Sequence, residues 1–191
     1  MKTESTLDAN ESLRLIAETI QNTKSDVRQN SFYFLLWGWL VAAASLIHYC
    51  LLKFSSFEHH YIAWPIMMTL GVIITMVHGY RSSKKNPSES YINFFMKHLW
   101  IVIGSSFILM IFICIKLNIH PTPFSLMLAG IGTLISGLTM KYRPFILGGS
   151  IFLISAVVAV FLNGMDQLLL NAVAIVLGYL VPAYILKGEK E

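Results

Sequence analysis

The chain has 191 residues, of which 55% are hydrophobic and only 13% charged, with a formal net charge of +4. Soluble domains are about 25% charged, so long stretches of this chain are kept away from water. Its two cysteines form no CxxC pair, which excludes a disulfide-stapled scaffold; bases scattered between apolar runs exclude a nucleic-acid binder.

The polar opening, residues 1–31, is too long for the leading region of a cleaved signal peptide. Within it Leu13, Ile16, Ala17, Ile20 and Val27 recur at helical spacing between charged residues, the pattern of an amphipathic helix. Asp8 and Asn10 are candidate N-caps. Five acids nearly balance four bases in this segment, so strong adsorption to anionic lipid is not expected. Two readings fit: a helix resting on the membrane or under the bundle, and a docking surface for a partner or a second copy. In the second, residues 8–30 make the contact, and Leu13, Ile16 and Ile20 carry it.

A hydrocarbon core about 30 Å thick is crossed by about 20 mostly apolar helical residues. Six segments qualify: Phe32–Leu52, Tyr61–Tyr80, His98–Ile115, Phe124–Met140, Phe145–Leu162 and Leu168–Leu186. None carries Asp, Glu, Lys or Arg in its central part. The expected fold is therefore all-α and polytopic: a compact six-transmembrane-helix bundle over residues 32–186, arranged as three hairpins. A cytoplasmic amphipathic helix precedes it and a cytoplasmic tail, residues 187–191, follows.

Orientation follows from the bases, which favour the cytoplasmic side of a membrane. The N-terminal segment, "RSSKKNPSES" with "MKH", "KYRP" and "KGEKE" hold twelve of the fourteen Lys and Arg residues; the other side has only Lys53 and Lys116. Both termini are thus expected in the cytoplasm of a multi-pass protein, in a cell membrane of bacterial type.

Helices in lipid associate by close packing of small residues and by hydrogen bonds. Such faces are Gly38, Ala42 and Ser45 on the first span and Gly71, Thr75 and Gly79 on the second. The fourth offers Ser125, Ala129, Gly132 and Ser136, the fifth Gly148, Ser155 and Ala159, and the sixth Asn171, Gly178 and Pro182. Pro182 lies inside its helix and is expected to kink it. The first and third spans open with "LLWGW" and "HLWIVIG", and the second and fourth end in "GYR" and "KYR", a weak echo of a repeated hairpin. Through "LAGIGTLISGLT" and "ILGGSIFLISAV", the layout resembles the small HdeD-type acid-resistance membrane proteins in composition alone; the long amphipathic leader is not part of that likeness, and no family is assigned.

Several ligand-capable side chains gather near the outer side: His48, Cys50, His59, His60, Cys114 and His120. They raise the alternative of an outer-face metal or redox site. The spacing opposes it, because His48 and Cys50 point in different directions on a helix and no HxxxH or CxxC anchors the group. No metal or other cofactor is expected. A Cys50–Cys114 disulfide stays open, beside the plainer reading of two buried thiols. His78, beside the Gly71 and Thr75 face, is either a group at the inner interface or a functional intramembrane ionisable residue.

Intramembrane carboxylates, a Walker-type loop, GxSxG and HExxH are all missing. The leading expectation is a non-enzymatic membrane protein, a regulatory or scaffolding subunit embedded in the lipid bilayer that engages a partner or second copy through its N-terminal helix. The alternative is a small permease for a neutral or apolar solute, whose path, or else whose helix packing, would use His78, Ser136, Asn171 and Pro182.

Overall fold

The computed structural model describes the backbone of residues 9–55, 58–85 and 91–188, and their side chains except those of 9–30, 83 and 85. Among the described residues there are helices and no strand, and six helices are long and apolar enough to cross a membrane. The side chains of Leu13, Ile16 and Ile20 lie outside the described residues, as do Asp8 and the 189–191 end of the tail.

The first helix differs from expectation. The leader and first span, read from the sequence as two elements, form one unbroken helix, α1, Ala9–Phe54, of 46 residues. No Gly or Pro occurs before Gly38, so nothing in the chain punctuates the run. Asn10 accordingly lies inside the helix and not at its cap.

A short turn of tighter helix, His60–Ile62, leads into α2, Ala63–Lys85. Then come α3, Tyr91–Leu117, α4, Thr122–Thr139, and α5, Arg143–Val160. The last helix, α6, spans Gly164–Gly188. Pro123 and Pro144 sit in the first turns of α4 and α5, where the missing N–H costs no helical bond. Asn118 (φ 54°) and Lys141 (φ 52°) turn the chain after α3 and α4 in the left-handed region.

Helix α6 is the central post. Its most apolar window is 56% buried, against 11% for α2 and for α3, which lie on the outside. The core around it is aromatic: the Phe34 and Phe145 ring centroids are 4.2 Å apart, and Tyr179 meets Phe152 at 5.0 Å and Phe34 at 5.5 Å. Apolar burial drives little helix association in lipid, so close backbone approach has to contribute. Glycines supply that approach. Gly38 faces Leu180 and Tyr179 of α6, and Gly71 faces Trp37 and Leu40 of α1.

The closest pair is α4 with α5, helices that three equivalent hairpins would assign to different units. A Cβ on Gly137 would stand 2.6 Å from the Ile146 nitrogen, and one on Gly149 2.6 Å from the Leu134 nitrogen. Both obstacles are backbone and cannot swing aside. The contact with α5 therefore runs through Gly130 and Gly137, while Gly132, two residues after Gly130, meets Trp100 of α3. Small residues on α4 thus serve two neighbours, not the single stripe read from the sequence.

Pro182 is accommodated by widening the helix. Residues Val176–Leu180 form a π-turn, in which the Val181 N–H reaches the Val176 carbonyl. Proline offers no N–H to the carbonyl four residues before it, that of Gly178. A Cβ on Gly148 would sit on that same Gly178 oxygen, so two glycines let α5 cover the freed group. The Pro182 carbonyl accepts from the Tyr142 hydroxyl at 3.3 Å.

Candidate functional site

Polar side chains bridge the helices at three depths. At the end of the bundle that carries the α1–α2 connection, the Trp64 indole N–H donates to His48 Nδ1 at 2.9 Å, and His48 Nε2 lies 2.8 Å from His60 Nδ1. The two imidazoles stack with centroids 5.0 Å apart. An indole nitrogen can only donate, so His48 Nδ1 is bare and its proton sits on Nε2. That proton goes to His60 Nδ1, which must be bare in turn. Both rings are therefore neutral, with their tautomers assigned by elimination, and they tie the C-terminal end of α1 to the chain entering α2.

Both nitrogens of His48 are engaged within the protein, leaving no lone pair for a metal. Among the described residues no three His, Cys, Asp or Glu side chains come together. Cys50 is exposed and Cys114 buried, both as free thiols; the Cys114 thiol points to Met110 Sδ at 3.6 Å. The His120 ring lies elsewhere, against Gly164 at the start of α6.

Deeper in the bundle, Asn171 Nδ2 donates to Ser45 Oγ at 2.6 Å, with both residues buried. The bond joins α6 to α1. Ser136 is fully buried and donates to the Gly132 carbonyl of its own helix at 2.7 Å, so its hydroxyl is turned onto backbone. Thr133 does the same toward Ala129 at 2.6 Å and also pairs with the Tyr179 phenol.

Toward the opposite end of the bundle, His78 Nδ1 lies 3.1 Å from the Tyr33 hydroxyl, and its ring stacks on Phe32 with centroids 4.1 Å apart. His78 thus packs α2 against α1. Trp39 donates to Tyr184 at 3.0 Å, joining α1 to the end of α6.

Of the four residues expected to share a solute path or a packing role, each sits at its own place. His78 is between α1 and α2, Asn171 between α1 and α6, Ser136 on α4, and Pro182 against Tyr142. They do not converge on one opening.

Gln167 was not singled out by its sequence context. It is 5% exposed, and its amide nitrogen donates to the carbonyls of Ala159 at 2.9 Å and Leu162 at 3.1 Å. The Ala159 carbonyl, in the last turn of α5, also accepts from the Leu162 N–H at 3.2 Å, while Gln167 Oε1 is buried without a partner; one side chain of α6 thus ties down the end of its neighbour. A glutamine just inside an apolar helix, after the "NG" of a turn, was the available signal. No protein-family model, curated protein or solved structure gives a significant match to this chain.

Proposed function

We propose that this chain is a non-enzymatic membrane subunit that holds a cytoplasmic partner on the N-terminal extension of α1. The observation that carries the reading is the continuity of that helix. Its 46 residues correspond to about 69 Å of helix, against a hydrocarbon core of about 30 Å. The surplus forms a rod continuous with a helix that enters the bundle core at Phe34, Gly38 and Ser45.

Register adds a direction. At about 100° per residue, positions 13, 16, 20 and 27 fall within about 60° of position 34, as do positions 38 and 45. Phe34, Gly38 and Ser45 are buried against the bundle. The apolar positions of the leader thus share a helical register with the buried positions of the first span. A second copy meeting this stripe would have to run its own α1 through the first bundle. A partner confined to the cytoplasmic side meets no such obstacle, which favours it over self-association.

The test compares full-length protein in mild detergent with a variant in which Leu13, Ile16 and Ile20 are all replaced by Ser. A defined partner that co-purifies in fixed stoichiometry with the wild type, and is lost from a variant of unchanged helicity, supports the reading. Association that survives the triple replacement overturns it.

A further inference from the structure

We infer that the groove between α1 and α2 at the base-rich end of the bundle binds one anionic phospholipid. The inference rests on the membrane reading of the six helices and not on the docking role of the leader.

The groove has a volume of about 260 Å³ and is lined by Phe32, Ile73, Ile74, Val77, His78 and Arg81. Small-molecule pockets run to about 300–1,000 Å³, so this space takes part of an acyl chain and not an enclosed solute. Its polarity is graded along α2. Ile73, Ile74 and Val77 form the apolar stretch, and Arg81 stands one to two turns further toward the helix end. Positions 74, 77, 78 and 81 follow the spacing of one helical face, about 10 Å long at 1.5 Å per residue. A phospholipid has that polarity in that direction, with its chain toward the bilayer centre and its phosphate at the base.

The wall is held in place. His78 is fixed on both sides, by the Tyr33 hydroxyl at 3.1 Å and by the Phe32 ring at 4.1 Å between centroids. Arg81, by contrast, meets no acid: α2 has none, and the only carboxylates among the described side chains, Glu58 and Asp166, lie at the opposite end of the bundle. Lys84, the next base, sits over the Tyr80 ring at 4.9 Å. Among the described residues the guanidinium at the mouth has no acid beside it, and a phosphate is its natural bidentate acceptor. Basic pockets between helices on the cytoplasmic side recognise lipid headgroups by this means. A zwitterionic lipid also offers a phosphate, but its own ammonium offsets that charge, whereas an anionic headgroup brings a net negative charge to Arg81; a soluble anion would leave the apolar stretch unused.

Native mass spectrometry of the full-length protein in non-ionic detergent tests this, titrating phosphatidylglycerol against phosphatidylcholine of identical chains. The wild type should retain the anionic lipid about fivefold more strongly, the equivalent of about 1 kcal/mol for one interfacial base. R81Q should bring the ratio to about one, while K84Q keeps it. V77W, which fills the groove from a lipid-exposed position, should weaken the first bound lipid of either kind. Equal retention by the wild type, or a preference that survives R81Q, overturns the proposal. Displacement by inorganic phosphate at matched concentration also overturns it, because the ligand is then a free anion. A chain that stays monodisperse without detergent removes the membrane reading beneath the proposal, a result distinct from loss of lipid preference.

Discussion

Asn171 of α6 donates to Ser45 of α1 at 2.6 Å across the buried centre of the bundle, joining the central post to the helix that carries the leader. Hydrogen bonds between helices in lipid contribute on the order of 0.6–2 kcal/mol. Asn171→Leu should therefore lower stability by about 1 kcal/mol, read as the midpoint of unfolding in mixed micelles. Ser45→Ala should cost a similar amount, and the double replacement little more than either alone, since both remove one bond. Full additivity would show that the two side chains do not act together.

The His48–His60 contact predicts a pH response of known sign. Both rings must be neutral for Trp64, His48 and His60 to bond as they do, so protonation of either breaks the link. The link is therefore complete while both imidazoles are neutral and is lost on acidification. The titratable neighbours are Tyr49 and Lys53 on α1, themselves bonded at 3.1 Å, and Glu58, His59 and Tyr61 on the connection, where His59 and Tyr61 lie 3.3 Å apart. In a variant with Trp64 as its sole tryptophan, emission should shift on acidification as the indole loses its acceptor. His60→Phe should remove the part of that shift due to the pair. An unchanged titration in that variant would sink the assignment.

Glycine replacements separate packing from propensity. Gly149→Ala places a methyl 2.6 Å from the Leu134 nitrogen, and overpacking of this kind costs about 1–3 kcal/mol. Gly104 of α3 has nothing within 4 Å of an added Cβ, and alanine is the better helix former there by about 1 kcal/mol. Gly149→Ala should lower the unfolding midpoint, and Gly104→Ala should leave it unchanged or raise it.

Gln167 gives a prediction about helix ends. Replacing it by Met preserves size but removes the donor to the Ala159 and Leu162 carbonyls. The Ala159 carbonyl keeps the Leu162 N–H at 3.2 Å, and the substitution also removes the buried, unpartnered Gln167 Oε1, so the effect is local to the Leu162 carbonyl and its net cost is about 1 kcal/mol or less. Hydrogen exchange would then rise in the last turn of α5 and the first of α6, with the rest of the bundle unaffected. Uniform loss of protection would mean that Gln167 supports the whole fold and not this one junction.

Six apolar runs and their lack of charge were legible in the chain itself, because any helix crossing hydrocarbon must satisfy its backbone internally and shed ionisable groups. Small residues such as Gly38, Ala42, Ser45, Gly148 and Ala159 marked buried faces for a similarly local reason: only small side chains let backbones approach. Which faces meet depends on partners distant in the chain. Tertiary structure alone made α6 the central post, brought Gly137 and Gly149 onto each other's helices, and turned Ser136 onto its own backbone. It also joined His48 to His60 and Trp64 across a turn, which spacing along one helix does not reveal. The leader shows the same division. Its apolar spacing is written in Leu13, Ile16 and Ile20, but that leader and first span make one helix is seen only in the unbroken run of α1 from Ala9 to Phe54.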